Sequence, residues 1–504
     1  MKTTFISLAL LLWCSLAIGQ NVHISEFTKV NDRYDLFIIG GNEQGVFTGL
    51  GEDYYYNGLR NKQVVSYYDF EKGQQESRVL KPEDKSREYF YSFYFQDQLH
   101  MLTYEDKLNE EGMYQMYLES YDKNLERNGE EKDISHLYPF LFSFDVGNYF
   151  RSYFSTQYGK MRRSYFFSHT ESADQSKVAI FFNYNFFSNA ETDFQCLVLD
   201  ENMDEIWSGF VKLPKTNSEY HMLESYALTN DGTLYALVSS FGNSKFKKSA
   251  TDFEYLLYKY HPDQGEVESI DIPTNDRFII NLGMQLNNAQ QPVLAGIYAN
   301  PSNNDIEGGI LIRNGKVSEY TFPESDTKEI NAKDDKEYAE EYTVKNLVVE
   351  DDGSVVFFAE SYKRGPVIKP KLGLGGLSPI DADVQLGDIY QKILAVKISD
   401  QAESWLRMVD KTQKSTEERD LYTSYALAHY DNTYFLLFNN DIKNASDVSM
   451  VKLTSEGDIS LETIFDRKEY RFRMVPSFAK KVHPGNMVVP LEKSGKQALA
   501  HIQF

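Results

Sequence analysis

Short runs of apolar, β-branched and aromatic residues recur along the whole chain, each bounded by Asp, Asn, Gly or Ser pairs. Leu234, Tyr235, Ala236, Leu237 and Val238 follow Asn230, Asp231 and Gly232, and Val355 to Ala359 follow Asp351, Asp352 and Gly353. Runs of this length between such turns read as β-strands joined by hairpins. Helical periodicity is scarce, and its best stretch, the polar residues 334–341, reads as a loop or a single turn. The chain is therefore expected to be all-β.

The turns are regularly spaced. One set falls at Gln44/Gly45, Asp97/Gln98, Asp174/Gln175, Asp231/Gly232, Ala289/Gln290, Asp352/Gly353, Asp431/Asn432 and Pro484/Gly485, mostly about 50 to 60 residues apart with two wider gaps. A second set follows the first seven, at Lys72/Gly73, Lys123/Asn124, Asn202/Met203, Gln264/Gly265, Asn314/Gly315, Asp400/Gln401 and Glu456/Gly457. A repeat with two hairpins has four strands, which is the composition of a propeller blade. The spacing predicts a β-propeller of eight four-stranded blades, with seven as the alternative. After Pro484/Gly485 the chain ends one strand short, while the alternating run 22–30 precedes the first repeat and belongs to none of its strands. That N-terminal run is expected to complete the last blade and close the ring, removing frayed terminal edges.

The first residues change the compartment. Lys2 precedes an apolar run from Phe5 to Ile18 that ends in Ala17, Ile18 and Gly19, the pattern of a signal peptide over residues 1–19, leaving a single propeller domain over 20–504. Export to the periplasm or the cell exterior is expected, with no membrane span, since no later run approaches the ~18 apolar residues needed. Trp13 before Cys14 does not suit lipid attachment. Cys196 then remains alone, within the apolar Cys196, Leu197, Val198, Leu199, and reads as a buried thiol.

Formal charge is -23, and loss of Lys2 with an otherwise uncharged leader makes it -24 (-23 - 1). Such a surface repels phosphate backbones and argues against nucleic-acid partners. A monomer is expected.

Candidate chemistry is sparse. None of the nine histidines pairs at HxxxH spacing, no GxSxG elbow or phosphate-cradling loop occurs, and no acidic run follows calcium-loop order. No metal and no cofactor is expected. Trp207 and Trp405 stand at equivalent places after the second turns of their repeats, which argues for packing between blades. Two insertions interrupt the rhythm. Residues 137–163 are aromatic and end in Lys160, Arg162 and Arg163; residues 362–387 carry Lys363, Arg364, Lys369 and Lys371 around Gly373, Gly375 and Gly376. Long loops on a compact scaffold often carry function, and basic groups with aromatic faces suit a glycan or an anionic ligand. Lys363, Arg364, Lys369, Lys371, Arg162 and Arg163 are the ligand-binding candidates.

One stretch points to relatives. Residues 388–398, Trp405, Tyr425-Ala426-Leu427 and the run from Tyr434 to Asn439, Asn440 and Asp441 resemble a pattern of strand, turn, tryptophan and Leu/Phe-rich strand ending in FNDN. It is found in an uncharacterised family of secreted Bacteroidota proteins, from which the chain departs where Ser399, Asp400 and Gln401 replace a glycine turn. The resemblance implies export from a Gram-negative cell and supplies no activity.

Without a compact catalytic motif, the expected function is a non-catalytic binding or scaffolding propeller with a protein or glycan partner. The alternative is a hydrolase or lyase cleaving a polysaccharide or peptide with acidic residues around the central channel, for which two carboxylates would have to converge from different blades.

Overall fold

The computed structural model describes residues 21–29, 35–51, 63–82, 84–108, 114–134, 167–182, 193–213, 220–242, 248–261, 265–332, 341–370, 382–415, 421–440, 442 and 446–504. It is all-β apart from short helical pieces, and its strands form eight antiparallel sheets set as the blades of a propeller. The first strands of blades 1 to 8 are Asp35–Gly41, Arg87–Phe95, Phe167–Glu171, Tyr220–Leu228, Phe278–Leu286, Glu341–Val349, Ala426–Tyr430 and Lys480–His483. Each turn of the first predicted set joins a first strand to a second, and each of the other set joins a third to a fourth. Several need a left-handed backbone, which explains their residue types: φ is +54° at Gln175, +90° at Gly232, +60° at Gln290 and +83° at Gly353.

Both faces of every sheet are covered by neighbouring blades, so the second strands read as continuous apolar runs rather than alternating ones. Val178, Ala179, Ile180 and Phe181 are all fully buried. The core is accordingly divided into slabs between blades. Phe93, Leu102 and Met116 of blade 2 pack on Val178, Ile180 and Leu197 of blade 3, and Val356, Phe358 and Trp405 of blade 6 on Tyr434, Leu436 and Val451 of blade 7. Trp405 also donates its Nε1–H to the carbonyl of Ser455 in the next blade, at 3.1 Å, and Trp207 lies 4.8 Å from Tyr260 of the next blade. Both tryptophans are thus inter-blade packing, as their recurrence suggests. Cys196 is buried in the slab between blades 3 and 4.

Basic side chains clip several blades to the turns of the next. Lys132 Nζ donates to Asn202 O and Lys177 Nζ to Asn230 O, both at 2.6 Å; Arg313 Nη1 donates to Gly353 O at 2.6 Å and Nη2 to Asp400 at 2.7 Å. These contacts satisfy turn carbonyls that the ladders leave open.

The ring closes through the chain ends. Asn21–Ile24 pairs antiparallel with the last strand, His23 opposite His501, and Thr28–Lys29 pairs further along the same strand. Between them Ser25 donates its N–H to Leu499 O and accepts from Leu499 N through Oγ, both at 2.9 Å. The N-terminal strand is therefore the outermost of blade 8, as its spare alternation predicts.

In blade 6 the second and third strands, Val355–Pro370 and Ala382–Ile398, are far longer than their counterparts and run as a paired ribbon out to Pro370 opposite Ala382. Much of the 362–387 insertion is thus strand, not loop. The helix Glu324–Ile330, opening after Pro323, has no counterpart in the expectations. Most of the polar stretch 334–341 lies outside the described residues, and Glu341 opens a strand.

Candidate active site on the inner wall

The first strands of blades 8 and 1, 1 and 2, 3 and 4, 4 and 5, and 5 and 6 pack side by side, so their side chains can meet although the sequence separates them by a blade or more. In six of these strands a β-bulge interrupts the ladder to the second strand, and the residue it skips is Ile39, Phe90, Glu224, Ile280, Lys345 or Val482. A bulge bends the strand and re-aims a side chain, and it frees the local carbonyl. Two such carbonyls hold a lysine from another blade: Lys480 Nζ donates to Ile39 O at 2.9 Å and Lys248 Nζ to Ile280 O at 2.6 Å.

Four polar side chains from three blades form the most chemically capable group. The Tyr91 hydroxyl of blade 2 lies 2.7 Å from Nδ1 of His169 in blade 3. Glu171 follows His169 by two residues on the same strand, so the pleat places both on one face. Lys480 comes from blade 8, on the far side of blade 1. His169 stands five residues before its turn at Asp174 (174 - 169) and Lys480 four before Pro484 (484 - 480), at similar depth along the wall.

The electrostatics of the group are mutual. Burial, and after it the Lys480 ammonium, hold the His169 imidazole down to about 3, so it is neutral at pH 7. Burial raises the Glu171 carboxyl above the usual range, with Lys480 opposing. Burial also lowers Lys480, with Glu171 opposing. The neutral imidazole accepts from the phenol through Nδ1 when its proton is on Nε2 and donates to it when the proton is on Nδ1. The set therefore holds an imidazole, a phenol, a carboxyl and an amine, residue types that general acid–base chemistry uses.

A second polar group lies further round the wall. Ser239 donates to Glu224 at 2.5 Å, Phe253 lies 5.3 Å from Lys248 Nζ, and the charges of Glu224 and Glu341 oppose the lowering of Lys248 by burial. Among the described residues no group of three or more His, Cys, Asp or Glu is placed to hold a metal ion, and no helix is long and apolar enough to cross a membrane.

The sequence-derived ligand candidates are not part of this wall. Lys363, Arg364 and Lys369 lie on the ribbon of blade 6, opposite Ile389, Asp388 and Asp383 in register. Lys371, Arg162 and Arg163, with the 137–163 insertion, lie outside the described residues. Sequence reasoning missed Tyr91, His169, Glu171 and Lys480. The signal available was a charge or histidine in the first strand of a repeat, a strand that otherwise needs none.

No protein-family model and no curated protein matches the chain. Among solved structures, it is similar to the polysaccharide lyase Uly1, with a TM-score of 0.40 and 10% identity over 95% of this chain and 99% of that one. It is similar to a protein of unknown function from Dyadobacter fermentans DSM 18053, with a TM-score of 0.33 and 9% identity over 67% of this chain and 94% of that one. It is also similar to an endo-arabinase from Bacteroides thetaiotaomicron VPI-5482, with a TM-score of 0.28 and 10% identity over 60% and 93%. At such identities no residue of theirs is carried onto this chain. The expectation of a non-catalytic binding propeller is corrected at this wall, which is neither apolar nor of one charge and joins a phenol to an imidazole across two blades.

Proposed function

We propose that this chain is a polysaccharide-cleaving enzyme whose reaction takes place at the inner wall of the propeller. The observation that carries the reading is the Tyr91–His169 hydrogen bond, 2.7 Å long and built from two blades beside Glu171 and Lys480. A phenol positioned by an imidazole can give or take a proton at a reacting bond, and proton transfer by positioned side chains accelerates bond cleavage by about 10²–10⁴-fold. The eight-bladed frame fixes the pair, since each partner sits on a strand buried against its neighbours.

Export belongs to the same reading: a signal peptide at residues 1–19 and the resemblance to secreted Bacteroidota proteins support it, and a polymer substrate outside the cytoplasm requires it. The intact mass of the exported protein should begin at Gln20.

The test is cleavage of a polysaccharide panel, followed by release of reducing ends, with the wild type, Tyr91→Phe and His169→Ala. Each substitution is expected to lower kcat by about 100-fold or more with the fold intact by circular dichroism. Full activity in both variants, or no polymer cut by the wild type, overturns the proposal.

A further inference from the structure

We propose that the joint closing the ring is an acid-released latch: at neutral pH the N-terminal strand is held on blade 8, and protonation of the facing imidazoles His23 and His501 frees it before the rest of the propeller yields. The inference stands on ring closure and is independent of the reaction proposed above.

The joint is built lightly. The ring is closed only where the N-terminal strand meets the last one, over Asn21–Ile24 and Thr28–Lys29 on either side of Ser25. Beside it, the apolar slab between blades 8 and 1 is the smallest among the described residues, with Leu36, Ile38 and Val46 set against Val482, Val488 and Leu499. A short pairing over a small slab is the place where local opening costs least.

Two histidines occupy this joint. His23 and His501 stand directly opposite each other in register, so both rings lie on one face of the sheet, the face toward blade 1. There the Tyr68 hydroxyl lies 2.8 Å from His23 Nδ1. The His501 ring stacks on Phe70, with 3.8 Å between centroids and 14° between planes. His501 Nε2 lies 3.0 Å from Asn486 Oδ1, an oxygen that only accepts, so Nε2 carries the proton of the neutral ring.

The surroundings offer no counter-charge. Among the described residues no carboxylate bonds either ring. Blade 1 presents Tyr68, with Asp69, Glu71 and Lys72 at the turn beyond it, where Lys72 holds Asp69 at 2.9 Å. The adjoining strand of blade 8 presents Asn486 and Val488, neither of them titratable. Burial, and after it His23, hold the His501 imidazole down to about 4, against ~6.5 for a free ring. Below pH ~6.5 an opened joint therefore takes up a proton that the closed one excludes, and acid shifts the balance toward opening. With both rings charged, like charges stand opposite each other on paired strands, which weakens the pairing further. His483 of the same seam works the other way, since its Nε2 lies 3.7 Å from Glu43, but both side chains are well exposed and such a pair contributes little.

The experiment is hydrogen exchange of the mature chain at pH 7 and pH 5, read by mass spectrometry with exchange times scaled for the chemical rate. Protection of residues 21–24 should fall about 10-fold or more at pH 5, while blades 3 to 5 keep theirs. His501→Gln and His501→Phe, neither of which can take a charge, should each remove most of that fall. Unchanged protection of residues 21–24 at pH 5, an equal loss in every blade, or the same fall in both variants overturns the inference.

Discussion

At the scale of single residues, the wall group and a set of buried ionic contacts make opposite uses of charge. Glu360 and Lys411 are wholly buried and 2.6 Å apart, with Ser424 donating to Glu360 and Gln413 accepting from Lys411, both at 2.6 Å. Gln413 in turn donates to Asn439 O of blade 7 at 2.7 Å. Every charge here is answered, so the network locks blade 6 to blade 7. Removing one partner strands the other: Glu360→Gln should cost about 3–5 kcal/mol, read as a fall in the denaturant midpoint, with Lys411→Met added to it recovering part of the loss. Histidines set the acid limit. Burial pushes His100 and His501 down to about 4, and His169 lies near 3. Because these folded values lie below the ~6.5 of an unfolded imidazole, the unfolded chain takes up protons first on acidification. Their contribution is complete above pH ~6.5 and declines as pH falls toward 4, by about 1.4 kcal/mol per pH unit for each titrating histidine. Denaturant midpoints at pH 7 and pH 5 check this, and equal midpoints would contradict it.

At the scale of strands and turns, regularity was readable because local chemistry dictates it. Gly353 shows why. Its φ of +83° suits glycine, and an added Cβ would lie 2.6 Å from Arg313 Nη1, the group that clips the Gly353 carbonyl. Gly353→Ala should cost about 1–2 kcal/mol, measured by thermal melting, and Arg313→Ala alone should cost less. The ladder at each blade and the spare N-terminal strand were legible for the same reason, since periodicity and turn residues are local. The wall group was not. His169 and Lys480 are 311 residues apart (480 - 169), and only the ring brings blades 2, 3 and 8 together. The two insertions drew attention because length and charge show in one dimension, whereas convergence does not. The long ribbon was equally hidden, because Gly365 and Pro366 read as loop residues yet pair in register with Gly387 and Leu386.

At the scale of the whole molecule, stability rests on closure rather than on one central core. Val22 and Ile24 pack on the slab between blades 7 and 8, which includes Met487, Val489 and Ile502. Val22→Asp together with Ile24→Asp should lower the denaturant midpoint by about 1–3 kcal/mol equivalent and open the N-terminal strand to limited proteolysis, while leaving most of the circular dichroism unchanged. The blade 6 ribbon stands apart from this closure. Replacing residues 364–388 by a short turn should leave the melting temperature within a few degrees, and a large fall would make the ribbon part of the closed ring.

The pairing of Asn21 with Gln503 also sets an order in time. The ring's first strand pairs with its last, 482 residues later (503 - 21), so the eighth blade gains its outer edge only after every other strand is present. Until then the edge of the last strand is unpaired and open to another chain.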